Sequence, residues 1–86
     1  MDTNFNDITE ITHLSKVVGL RQVVKHLNQD KIKTIILATD ADPDFEKTVL
    51  DSASVKSVSV VRAGTKEQLA TLCGIDKIAT VIGLLK

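Results

Sequence analysis

Ile35-Ile36-Leu37-Ala38, opened by Thr34, is an apolar run with no alternating polar position. A strand with one wet face alternates, so a run without alternation belongs to a strand covered on both faces. That demands layers above and below a sheet. The chain must build them from 86 residues, enough for one small domain that buries roughly 60–65% of its unfolded surface.

The segments around this run supply the layers. Ile8, Ile11 and Leu14 are spaced for one face of a helix over 7–15, with Asn6 or Asp7 as its cap. Residues 16–19 read as a short strand ending at Gly19. Leu20, Val23, Val24 and Leu27 form the apolar stripe of a helix over 20–29. The central strand covers 33–39. Asp42 as N-cap and Pro43 at the first position open the next helix, with Asp44 and Glu46 at its positive end. Phe45, Val49, Leu50 and Ala53 are its expected apolar face. A strand over 58–61 follows. Thr65 and Gln68 then fit a capping box, Leu69 and Leu72 face inward, and Gly74 ends that helix. Residues 78–85 read as the last strand. Helices alternate with strands, which predicts an α/β layered domain with a mixed sheet and helices on both faces. The whole of 1–86 reads as one domain, with residues 1–6 outside the folded part.

Gly19-Leu20-Arg21-Gln22-Val23-Val24-Lys25 carries the strongest functional signal. A helix N-terminus has unpaired N–H groups and a partial positive charge, and it attracts phosphate. Arg21, Gln22 and Lys25 lie off the apolar stripe, and Arg21 and Lys25 are one turn apart. Net charge is zero, but it is banded. Residues 16–33 hold Lys16, Arg21, Lys25, Lys31 and Lys33 against Asp30, and residues 56–66 hold Lys56, Arg62 and Lys66. Residues 1–11 and 40–51 are acidic. From charge alone, a solvated surface accounts for the banding as well as an electrostatic footprint does.

Most enzyme chemistry finds no support. The sequence has no GxxxxGK[ST] loop and no GxGxxG fingerprint. His13 and His26 fall on different helices, and Cys73 reads as a small packed hydrophobe rather than a nucleophile. One cysteine makes no disulfide framework and no zinc pair. Asp40 and Asp42 follow a strand, where metal or phosphate chemistry is often placed. Capping by Asp42 and a turn anchored by Asp40 explain them more simply. No catalytic residue, cofactor or metal is expected. Phe5 and Phe45 are the only aromatics, too few for a base-stacking platform. The polar, acidic N-terminus is unlike a signal peptide, and no apolar run approaches the ~20 residues of a membrane span. A cytoplasmic protein is expected.

Three stretches together resemble the L-seven-Ae and L-thirty-e family of ribosomal proteins, whose members bind kink-turn RNA and include small bacterial paralogues. They are Val18-Gly19-Leu20-Arg21-Gln22-Val23-Val24-Lys25, Ile36-Leu37-Ala38-Thr39-Asp40-Ala41-Asp42-Pro43, and Thr65 to Ile75. The resemblance spans roughly residues 8–85. It implies a three-layer α/β/α sandwich around a four-stranded mixed sheet. In the family, the helix after the glycine enters the kinked major groove beside tandem sheared G·A pairs, and a second loop covers a flipped-out nucleotide. Carried over, Gly19 would let the backbone approach RNA, Arg21 and Gln22 would meet guanine edges, and Lys25 a phosphate. Val61, Arg62 and Ala63 would form the second loop, with Lys66 near a phosphate. Where many members have Gly-x-Asn-Glu, this chain has Gly-Leu-Arg-Gln. Gln22 keeps an acceptor but lacks the charge that strengthens it. Arg21 could donate to guanine O6 and N7 or to a phosphate.

The resemblance thus implies an RNA-binding protein, ribosomal-protein-like or ribosome-associated, whose partner is a kink-turn or rRNA-like structure; a monomer is expected. The alternative reading is a protein-interaction module that kept the fold and lost the RNA, favoured by neutral charge and the acidic 42–51 segment. An enzyme using Asp40 and Asp42 is the most remote reading.

Overall fold

A computed structural model describes residues 15–75 and 78–86. The strands are β1 (Lys16–Val18), β2 (Ile32–Leu37), β3 (Ser59–Arg62) and β4 (Val81–Leu85). The helices are α1 (Leu20–Asn28), α2 (Pro43–Val55) and α3 (Lys66–Cys73). The helix expected over 7–15, with His13, lies outside the described residues apart from Ser15, which is not helical.

The sheet order is β1-β4-β2-β3. β4 runs antiparallel to both its neighbours, and β2 and β3 are parallel. β2 is therefore an interior strand, as its unbroken apolar run requires. Its side chains divide by parity. Ile35 and Leu37 join Val23 and Leu27 of α1 and Val49 and Ala53 of α2 on one face. Ile36 and the following Ala38 join Leu69 and Ala70 of α3 on the other. The result is the expected α/β/α sandwich with a four-stranded mixed sheet.

Several boundaries differ from expectation. β4 begins at Val81 rather than at residue 78. Ile78 is exposed, while the Ala79 N–H donates to the Lys66 carbonyl across the start of α3. The segment 78–80 thus crosses the start of α3 before joining the sheet. β2 ends at Leu37 rather than 39, where Thr39 turns to donate to the Gly64 carbonyl. On α2, Phe45, Val49 and Ala53 lie on one stripe, and Leu50 falls off it, 36% exposed. Asp42 sits at the N-cap of α2 but makes no side-chain cap bond.

Gly83 on β4 is buried under α1. A Cβ there would stand 2.7 Å from Ile32 Cδ1, 3.3 Å from Val17 Cγ2 and 3.4 Å from Val23 Cγ2. The missing side chain lets α1 settle close on the sheet.

Candidate nucleic-acid interface

All three described helices begin at the same end of the sheet. The Gly19 N–H, just past β1, donates to the Val81 carbonyl at the start of β4. Val81 faces Leu37 at the end of β2, and Leu37 faces Arg62 at the end of β3. Gly19, the start of α2 and the loop before α3 are therefore strung along one edge. Three strand spacings separate its ends, about 14 Å. In open α/β sheets, ligands bind outside the ends of the strands where such loops gather.

The three helix N-termini differ in how they are satisfied. At α3, the Thr65 hydroxyl accepts from Gln68 N–H (3.2 Å), and the Gln68 side chain accepts from Thr65 N–H (2.8 Å). The expected capping box is thus complete. The Asp40 carboxylate also accepts from the Lys66 N–H at 2.9 Å, so its role is the turn anchor expected of it. At α2, Asp44 and Glu46 supply negative charge in the first turn. At α1, Gly19 offers no side-chain cap, and no acid stands in the first turn. Among the described helices, α1 alone presents its positive end without an anion of the protein's own.

Gly19 makes that opening possible. Its φ of 95° and ψ of 150° lie in a region that is essentially glycine-only. Nothing stands within 4 Å of where its Cβ would be, so the approach to α1 is open. Arg21, Gln22 and Lys25 are all exposed on the first turns. The His26 ring nitrogen Nδ1 meets the Gln22 carbonyl at 2.8 Å, which leaves the Gln22 side chain outside that bond.

The second expected element is more deeply built into the fold. Val61 packs on the α3 face of the core, and Ala63 is fully buried. The Ala63 N–H donates to the Leu37 carbonyl, and the Gly64 carbonyl accepts from Thr39. Val61 and Ala63 therefore shape the loop through packing. The Arg62 guanidinium pairs with Glu46 on α2, a partner on a separate element that no local pattern announces. Lys66 is half-exposed, and its backbone is held by Asp40 on one side and Ala79 on the other.

The sequence model of the ribosomal protein L7Ae/L30e/S12e/Gadd45 family matches residues 12–86. An RNA-binding protein of Halalkalibacterium halodurans is 30% identical over 83 residues, covering 96% of this chain and 99% of that protein. One from Bacillus pumilus is 32% identical over 71 residues, covering 83% and 87%. Among solved structures, a Giardia lamblia 15.5kD RNA binding protein superposes with a TM-score of 0.80 at 25% identity, covering 95% of this chain and 70% of that one.

Proposed function

This chain belongs to the ribosomal protein L7Ae/L30e/S12e/Gadd45 family, and on that premise we propose that it is an RNA-binding protein that recognises a kink-turn or similarly bulged RNA. The observation that carries the proposal is the uncapped N-terminus of α1, open above Gly19 and flanked by exposed Arg21, Gln22 and Lys25. Backbone N–H groups and the helix dipole there suit a phosphate. Arg21 can donate to a guanine edge, Gln22 can both donate and accept, and Lys25 suits a phosphate as a point charge. Lys66 and the loop Val61-Arg62-Ala63 complete the face from the other end of the edge. The relatives' names as RNA-binding proteins support the same reading. The protein acts as a monomer in the cytoplasm, ribosome-associated or in another ribonucleoprotein, and performs no catalysis.

The reading fits a modest electrostatic term. Net charge is zero, and acids of α2 share the edge with the cations. Affinity must come from a few well-placed contacts rather than from a broad basic surface. The test is titration of the protein with a kink-turn RNA and with a duplex lacking the bulge and G·A pairs, each at two salt concentrations. Selective binding that weakens with salt is expected. Arg21→Ala and Lys25→Ala should each weaken it by about 1–3 kcal/mol. Equal, weak binding of both RNAs would overturn the kink-turn assignment.

A further inference from the structure

We infer that Glu46 competes with RNA for the Arg62 guanidinium and thereby sets the affinity of this face, an inference that rests on the RNA reading above. Arg62 closes β3 at the start of the candidate RNA loop. Strand parity aims it at α2: Val60, two residues earlier, packs on the α1/α2 face, whereas Val61 packs on the α3 face. The guanidinium meets Glu46 Oε1 there. Glu46 is the more enclosed partner, its side chain 23% exposed against 43% for Arg62. Its Oε1 is closed off from solvent.

One guanidinium thus faces two claimants. A phosphate arriving at the loop can take Arg62 only by breaking its ion pair with Glu46 and leaving that carboxylate to be rehydrated. Arg62 is therefore a cation whose contribution to RNA binding is held down by its neighbour. The other cations on this face, Arg21, Lys25 and Lys66, form no such ion pair among the described residues. Neutralising Glu46 should release Arg62. A glutamine keeps the shape and an acceptor oxygen but not the charge that holds the guanidinium.

The experiment compares wild type, Glu46→Gln, Arg62→Gln and the double variant for kink-turn RNA binding across a salt series, with folding checked by thermal melting. Glu46→Gln should bind about fivefold tighter at low salt, the size of one released contact. Its log–log salt slope should steepen by about 0.7–0.9, one further phosphate. In the Arg62→Gln background, Glu46→Gln should add nothing. Asp44→Asn removes a nearby charge of the same sign and should shift affinity by under about twofold, because exposed charges are screened. The inference is overturned if Glu46→Gln leaves affinity and slope unchanged in a folded protein. It is also overturned if its gain persists without Arg62 or is matched by Asp44→Asn, since either result reports bulk charge. Absence of RNA binding by wild type and every variant would overturn the RNA reading itself, a different result from selective wild-type binding that Glu46→Gln does not change.

Discussion

The Asp40 carboxylate accepts the backbone N–H of Lys66 at 2.9 Å, across 26 positions of sequence. The contact joins the turn after β2 to the first residue of α3. It places an anion at a helix N-terminus, where the dipole favours it. The loop Ala63-Gly64 between β3 and α3 is thereby tied to the turn after β2, and Thr39 also donates to the Gly64 carbonyl.

Asp40→Ala should destabilise the fold by about 0.5–2 kcal/mol, the usual cost of losing a side-chain acceptor at a helix start. For a domain of this size each kcal/mol lowers Tm by roughly 4–8 °C. Asp40→Asn keeps an acceptor and should lose less. Thermal melting of the two variants checks the order, and an unchanged Tm in Asp40→Ala would contradict the anchor role.

Gly19→Ala should cost about 1–3 kcal/mol, because its backbone lies in a region that residues with a Cβ avoid. The loss is conformational: a methyl would meet nothing within 4 Å. Urea denaturation should therefore show a lower midpoint with an unchanged slope. A variant as stable as wild type would show that the chain can enter α1 by another backbone path.

Gly83→Ala tests packing rather than conformation. The added methyl would meet Ile32, Val17 and Val23 at 2.7 to 3.4 Å, in a core with no room to give freely. Ile32 must swing its Cδ1 aside and Val17 must give slightly, while Val23 of α1 already stands at ordinary contact distance. A loss of about 1–3 kcal/mol is expected. Denaturant unfolding measures it, and a neutral or stabilising substitution would mean that Ile32 and Val17 repack at no cost.

Much of this architecture was written locally. The unbroken run at Ile35–Ala38 announced an interior strand, and Thr65 with Gln68 announced a capped helix, because each signal sits within a few residues. Gly19 marked the start of α1 for the same reason. What the sequence concealed depends on which elements meet. Leu50 looked like part of an apolar face but lies one residue off the stripe of Val49 and Ala53. Ile78, Ala79 and Thr80 looked like strand, yet α3 draws Ala79 away through Lys66. Asp42 had the residue type of a cap and takes the position without the bond. At the candidate site, Arg21, Gln22 and Lys25 were legible as an exposed set on one helix. The pairing of Arg62 with Glu46 was not, because it joins two elements that only the sheet brings together.

Cys73 gives the fold a pH dependence on the alkaline side. Partial burial raises its thiol above the ordinary 9.0, opposed by the charge of Lys16. The unfolded chain therefore releases this proton first. The associated stability is fully present below the unfolded value and is lost as pH rises through the folded one. Tm should fall more steeply above about pH 9 in wild type than in Cys73→Ala. Parallel Tm–pH curves for the two proteins would contradict the role of burial at this thiol.

In the proposed complex, RNA sits on the open N-terminus of α1. Amide chemical-shift mapping during titration with a kink-turn RNA checks this placement residue by residue. The largest shifts are expected at Gly19, Leu20, Arg21 and Gln22, with smaller ones at Arg62 to Lys66. Little change is expected at Lys31 and Lys86, whose backbones are hydrogen-bonded to each other at the opposite end of the sheet. Shifts centred on the acidic start of α2 or on the Lys31 end, with the first turn of α1 silent, would contradict it.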